Sequence, residues 1–160
     1  MAKTKKLTLS AMFIALYVVI MYFTQSFAFG QYQIRIATSL YAFAYFFPFL
    51  VLPMGIANML SNMLMGSIGI FDIVGGFTAG IITTLLMVLI RKTKLNSWLT
   101  ALPVALVPTL IVPIYLSRVI NVPYLALVGS LFVGQLIAGI FGAVIVNVMK
   151  DKIIYSEGQQ

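Results

Sequence analysis

The residues able to do chemistry in this chain are few, and most fall in one half of it. Asp72 is the only acid within or beside an apolar stretch; Asp151 and Glu157 lie in the C-terminal tail. A carboxylate has two acceptor oxygens. Asp72 can therefore hold a donor-rich solute, cap the start of a helix through its orphan N–H groups, or do both. Asn58 and Asn62 are four residues apart and share one helical face, flanked by Ser61 and Met65. Amides inside a bundle glue helices together at about 0.6 kcal/mol each, or they read the edge of a heterocycle. Both readings are open for Asn62. Asn58 lies deeper and fits the first. Gln135 is a lone amide in an apolar run, near Gly134 and Gly139. It must face the bundle or a cavity, and glue is the simpler reading. Arg35 follows Gln31-Tyr32-Gln33, a polar-aromatic loop that can fold over a planar ligand. A structural or binding role suits it better than snorkelling to head groups, a reading that stays open for Arg118.

Several chemistries are excluded. The chain has no Cys and no His. Thiol catalysis, disulfides, Cys/His zinc sites and His-based triads fall away. No Gly-rich phosphate loop ends in Lys-Ser or Lys-Thr, so ATP is not hydrolysed here. No acid pair has metal-ligand spacing. One usable acid does not make a membrane enzyme, and no cofactor is expected.

The elements that must position these residues are membrane helices. Hydrophobic residues make up 62% of the 160, and charged residues 8%, against about 45–50% and about 25% in a soluble domain. The net charge of +7 gathers at helix ends and forms no stripe that could track nucleic-acid phosphates. Six apolar segments follow, at approximately 7–29, 35–47, 49–65, 72–90, 98–116 and 124–149. Pro48 and Pro53 make the second and third a tight or kinked pair. At about 20 residues per crossing they leave short loops and one domain over 1–160. The expected fold is thus an all-α bundle of six transmembrane helices.

Lys and Arg set the orientation. With the N-terminus inside, eight of the ten cations are cytoplasmic and only Arg35 and Arg118 lie outside. Both termini are then cytoplasmic, and Trp98 sits at the inner interface. The outer half keeps a polar set: Gln31, Gln33, Arg35, Thr38, Asn58, Asn62, Asp72, Arg118 and Asn121. Small residues mark close contacts. Gly76 and Gly80 suit internal packing, whereas Ala11 and Ala15, near the cytoplasmic end of the first helix, suit a partner protein.

Six helices in about 17 kDa with Ala-x-x-x-Ala in the first resemble the substrate-binding S components of energy-coupling factor (ECF) transporters. The ordered motifs Gln33-Ile34-Arg35-Ile36-Ala37-Thr38, Ile56-Ala57-Asn58 and Ile70-Phe71-Asp72-Ile73-Val74 look like the QueT group within them, the S components for queuosine precursors. The likeness runs over most of 7–150 and is densest in 33–80. It implies an ECF S-component bundle in a prokaryotic plasma membrane. It implies capture of a 7-deazaguanine (nitrile, aminomethyl or larger free base) from outside. It also implies docking through Ala11 and Ala15 onto a membrane T component that carries two cytoplasmic ATPases. Arg35, Asn62 and Asp72 match polar positions of the pattern. Thr38 and Gln135 stand where it carries acids, which leaves less for a cationic aminomethyl group and keeps another vitamin-like micronutrient open.

A guanine-like edge has two donors for Asp72 and an acceptor for an amide such as Asn62. Tyr32 and Tyr41 are candidates for stacking, the Gln31–Arg35 loop for closing above. The full candidate set is Asp72, Asn62, Arg35, Gln33, Tyr32, Thr38, Tyr41, Gln135 and Arg118. The competing class is a stand-alone channel or exporter. A polar set confined to one half gives it no continuous path.

Overall fold

The computed structural model describes residues 1–65 and 69–157. Among them every regular element is helical. Helix α1 spans Lys3–Phe23 and is followed by a single turn, α2, Gln25–Ala28. A 3-10 helix runs Ile36–Tyr45, and a short 3-10 turn, Pro48–Leu50, leads into α3, Val51–Leu64. Then come α4, Ile70–Lys92, α5, Ala101–Ile120, and α6, Tyr124–Glu157.

Four helical stretches are long and apolar enough to cross a membrane: Lys3–Phe23, Ile70–Lys92, Ser97–Ile120 and Tyr124–Lys150. The second and third segments expected from sequence are shorter. Ten residues of 3-10 helix rise about 20 Å and the 17 residues Pro48–Leu64 about 25 Å, against a hydrocarbon core of about 30 Å. The first segment also ends early. Thr24 stands at its C-cap, the hydroxyl donating to the Ile20 carbonyl at 2.7 Å, and α2 begins at Gln25. The last helix overruns its expected end at 149 and reaches Glu157.

The 3-10 helix is the axis of the molecule. It packs against α6, α4 and α1, and Ala37 to Ala42, Ala44 and Tyr45 are all buried. Small side chains at Ala37, Ser39, Ala42 and Ala44 let its neighbours come close. At one end Arg91, in the last turn of α4, donates from Nη1 to the carbonyls of Tyr45 and Phe46 at 3.1 and 2.8 Å. Lys6 of α1 lies over the Phe49 ring at the same end. The start of α1 and the end of α4 therefore meet there, and the polar residues lie at the other end.

Helices α3 and α4 form the closest pair that bears on the site. A Cβ on Gly80 would sit 3.0 Å from the Gly55 Cα, and one on Gly76 would sit 2.5 Å from the Asn62 amide nitrogen. The Gly-x-x-x-Gly pattern thus serves internal packing. Their close approach fixes a register in which Asn58 faces Gly76 and Asn62 faces Asp72.

Candidate functional site

That register builds the site's first part. Asn58 Nδ2 donates to the Gly76 carbonyl and Asn62 Nδ2 to the Asp72 carbonyl, both at 2.9 Å. Two amides one turn apart on α3 thereby meet two carbonyls one turn apart on α4. Their oxygens remain free to accept, and both take a hydrogen bond from Arg35 Nη1, at 3.2 and 3.1 Å. A guanidinium nitrogen carries two N–H groups, one for each amide. Nε reaches the Ala28 carbonyl at 3.4 Å, and the Phe29 ring lies 4.9 Å from the guanidinium carbon. Arg35 is 4% exposed, so it is a buried pin and does not snorkel. Its acceptors are all neutral.

Asp72 is placed differently from the sequence expectation. It does not cap α4. The cap position belongs to Gly69, whose φ of 92° suits a residue without Cβ, and Asp72 stands in the first turn. The sequence Gly66-Ser67-Ile68-Gly69 suggests a turn before α4, and its residues 66–68 lie outside the described residues. Asp72 is buried at 5% exposure, and its Oδ1 accepts from the Tyr115 hydroxyl of α5 at 2.8 Å. Gly75 makes room for that ring, because a Cβ there would collide with it. Among the described residues, Asp72 and Arg35 make no hydrogen bond to each other. Oδ2 of the carboxylate and Nη2 of the guanidinium take part in none of these hydrogen bonds.

The third part is the loop before Arg35. The Gln135 side chain reaches from α6, donating from Nε2 to the Gln33 carbonyl at 3.2 Å. Its Oε1 lies 3.4 Å from the Thr38 hydroxyl, which donates more closely to the Arg35 carbonyl at 2.6 Å. Gln135 and Thr38 therefore position the loop and the start of the 3-10 helix. Gln33 holds φ at 42°, and its side-chain oxygen is buried without a donor. Such a φ is uncommon outside Gly, and an orphaned acceptor costs about 1–3 kcal/mol.

Beneath this loop is a cavity of about 340 Å³, bounded by Phe29, Gln31 and Gln33 on one side and by Leu116, Leu127 and Ser130 on the other. Ligand pockets begin at about 300 Å³. Phe29 belongs both to the cavity wall and to the Arg35 contact, and Leu116 follows Tyr115. The cavity and the buried polar cluster are thus neighbours, sharing Phe29 and meeting at Leu116 beside Tyr115.

Of the sequence candidates, Arg35, Asn62, Asp72, Gln33, Thr38 and Gln135 come together here. Asn58 joins them as a full partner of Arg35. Tyr41 borders the cluster against Asn58, but it is fully buried and one ring face is stacked on Tyr17 at 5.8 Å between centroids. Two do not join it. Tyr32 is 50% exposed and lines no part of the cavity. Arg118 is exposed in the last turn of α5, where a cation complements the helix dipole. Tyr115 and Phe29 were missed. Tyr115 was findable as the lone aromatic of an otherwise aliphatic helix, at the level of Asp72. Phe29 carries no signal in sequence.

Gly134 supplies a prediction. A Cβ there would run into the Tyr32 carbonyl and press on Gln33, and backbone cannot swing aside as a side chain can. Gly134→Ala should lift the loop and break the Gln135–Gln33 bond, at about 1–3 kcal/mol for overpacking. Thermal unfolding of the purified variant checks it. A midpoint equal to the parent's would mean the loop is not held at this contact.

The sequence matches the family described as QueT transporter over residues 7–151. No curated protein matches the chain, and no solved structure does.

Proposed function

The chain belongs to the QueT transporter family, and on that premise we propose that it is the solute-capturing S subunit of an ECF-type importer for a 7-deazaguanine. The observation that carries the reading is a buried carboxylate and a buried guanidinium, tied into one cluster through Asn62, beside a cavity of about 340 Å³. A guanine-like edge offers two adjacent donors and a carbonyl. The Asp72 carboxylate suits the donors, and the Arg35–Asn62 side suits the carbonyl. Phe29 suits a ring face. On this reading the Phe29–Gln33 loop moves when the solute arrives, joining cavity to cluster and giving the orphaned Gln33 oxygen a donor.

In this reading the two shorter segments also cross, in a bundle of six passes with both termini cytoplasmic. The location is a prokaryotic plasma membrane. The chain performs no reaction. A membrane T component and two ATPases supply the energy. The test is titration calorimetry of the purified chain with a nitrile-bearing 7-deazaguanine, alongside mass spectrometry of whatever co-purifies. Stoichiometric binding supports the reading. No heat with any 7-deazaguanine, together with a different retained solute, would move the chain to another micronutrient.

The T component's landing face is the outward side of α1. Ala11 and Ala15 are exposed, while Tyr17 and Met21 point inward. Small residues let a partner backbone approach closely, and leucines there meet only lipid in the isolated chain. Ala11→Leu with Ala15→Leu should abolish uptake in cells and leave solute binding by the isolated chain unchanged. Normal uptake by the double variant would remove this face from consideration.

A further inference from the structure

The opposite, Lys-rich end of the bundle carries a second feature. Between α4 and α5 lies an apolar groove of about 330 Å³, walled by Leu86, Leu89, Leu99, Leu102 and Leu106. From Leu99 to Leu106 it runs about 10 Å along the helix, and Leu89, Leu99, Leu102 and Leu106 are all at least 37% exposed. A hydrocarbon chain fits such a slot, and a polar solute does not.

The rim is cationic. Ile90, Thr93 and Leu95 belong to the groove, and the residues between them are Arg91, Lys92 and Lys94, all exposed. Cations at a helix end often serve only to cap its last carbonyls. Here that work is already done. The Thr93 amide and hydroxyl bond the Leu89 carbonyl at 2.9 Å each. The Leu95 amide bonds that of Ile90 at 3.3 Å and the Lys94 amide that of Arg91 at 3.2 Å, with Lys94 in a left-handed turn of φ 54°. Arg91 is committed to the Tyr45 and Phe46 carbonyls. Lys92 and Lys94 have no acidic partner among the described residues. Trp98, 55% exposed, stands between two groove residues, where an indole marks the head-group level. Two exposed ammonium groups at that level, over a slot that takes only hydrocarbon, match one kind of molecule.

We propose that this groove is a specific site for an anionic phospholipid, with one acyl chain between α4 and α5 and the phosphate on Lys92 and Lys94. The site lies at the far end from the solute cluster and does not depend on what the solute is.

The experiment is native mass spectrometry of the full chain released from micelles holding equal amounts of phosphatidylglycerol and phosphatidylcholine with the same acyl chains. One phosphatidylglycerol should be retained in preference. A Lys near an anionic surface is worth about 1 kcal/mol, or roughly fivefold. Lys92→Gln with Lys94→Gln should therefore lower that retention about 25-fold. Leu102→Trp, filling the slot from a half-exposed position, should displace the lipid, and Leu106→Trp should do the same from the next turn. Glycerol phosphate, a head group without chains, should not compete. Equal retention of both lipids overturns the proposal, as does retention indifferent to the lysine changes. Retention that survives both tryptophan variants, or yields to glycerol phosphate, means an anion held by surface charge alone and overturns it too.

Discussion

Asp72→Asn should weaken binding of a guanine-like solute by about 2–5 kcal/mol, the range for removing one partner of a buried charged hydrogen-bonded pair. The substitution keeps size and shape and exchanges one acceptor oxygen for an NH₂. An edge that presents two donors then meets a donor. The fold should survive, because the carboxylate does not start the helix. Gly69 holds the cap position, and the Asp72 amide bonds the Gly69 carbonyl at 3.1 Å whatever side chain follows. Asn can also still accept from the Tyr115 hydroxyl, now at 2.8 Å from Oδ1. The stability lost is the dipole interaction of a first-turn anion, about 0.3–1 kcal/mol. Tyr115→Phe makes the contrast. It leaves the carboxylate and removes only the group that shares Oδ1, so it should cost the solute far less. Calorimetric titration of both variants, with unfolding midpoints as control, gives the comparison. An Asp72→Asn chain that binds as tightly as its parent would leave Asp72 a structural partner of Tyr115 and take the guanine-edge reading with it.

The sequence disclosed which residues are polar where polarity is costly, and much less about what they touch. Asn58 and Asn62 were legible as one face because helical periodicity alone fixes it. Their partners were not. The match to Gly76 and Asp72 depends on how far α3 slides along α4, and the Gly55–Gly80 contact sets that. Arg35 was legible as more than a surface cation from the loop before it, yet its grip on both amides arises only when α3 folds back past the 3-10 helix. The error at Asp72 is one of boundary. With the cap at Gly69, three residues earlier than expected, Asp72 becomes the third helical residue, and its side chain leaves the first turn toward Tyr115 instead of folding back on the helix's own N–H groups. Hydropathy also cannot tell a 3-10 helix from an α-helix, so the sequence marks the second segment as short and paired with the third at Pro48 and Pro53 but not as 3-10. The same blindness to packing made Tyr41 a stacking candidate, when Tyr17 already covers it.

Removing Arg35 should be the most destabilising single change at this end of the molecule. Arg35→Met fills part of the space but leaves two buried amide oxygens and the Ala28 carbonyl without their donor. Each buried orphan costs about 1–3 kcal/mol. The contact with the Phe29 ring adds about 1 kcal/mol. Relaxation and water entry recover some of this, so the expected loss is about 3–5 kcal/mol, the lower part of the range for three orphaned acceptors. In a chain this size that lowers the unfolding midpoint by roughly 10 °C. Arg35→Lys should recover only part, because an ammonium has no planar fork to serve two amides and a carbonyl at once. The diagnostic is a cycle with Asn62→Ala. If the amides and the guanidinium act as one unit, the double variant should lose less than the two singles added, by about 0.5–3 kcal/mol, because an orphaned oxygen disappears with its residue. Strict additivity would mean that Arg35 and Asn62 act independently. The α3–α4 hairpin would then owe its register to the Gly55–Gly80 contact and the two amide–carbonyl bonds, and Arg35 would be free to serve the solute without first holding the fold.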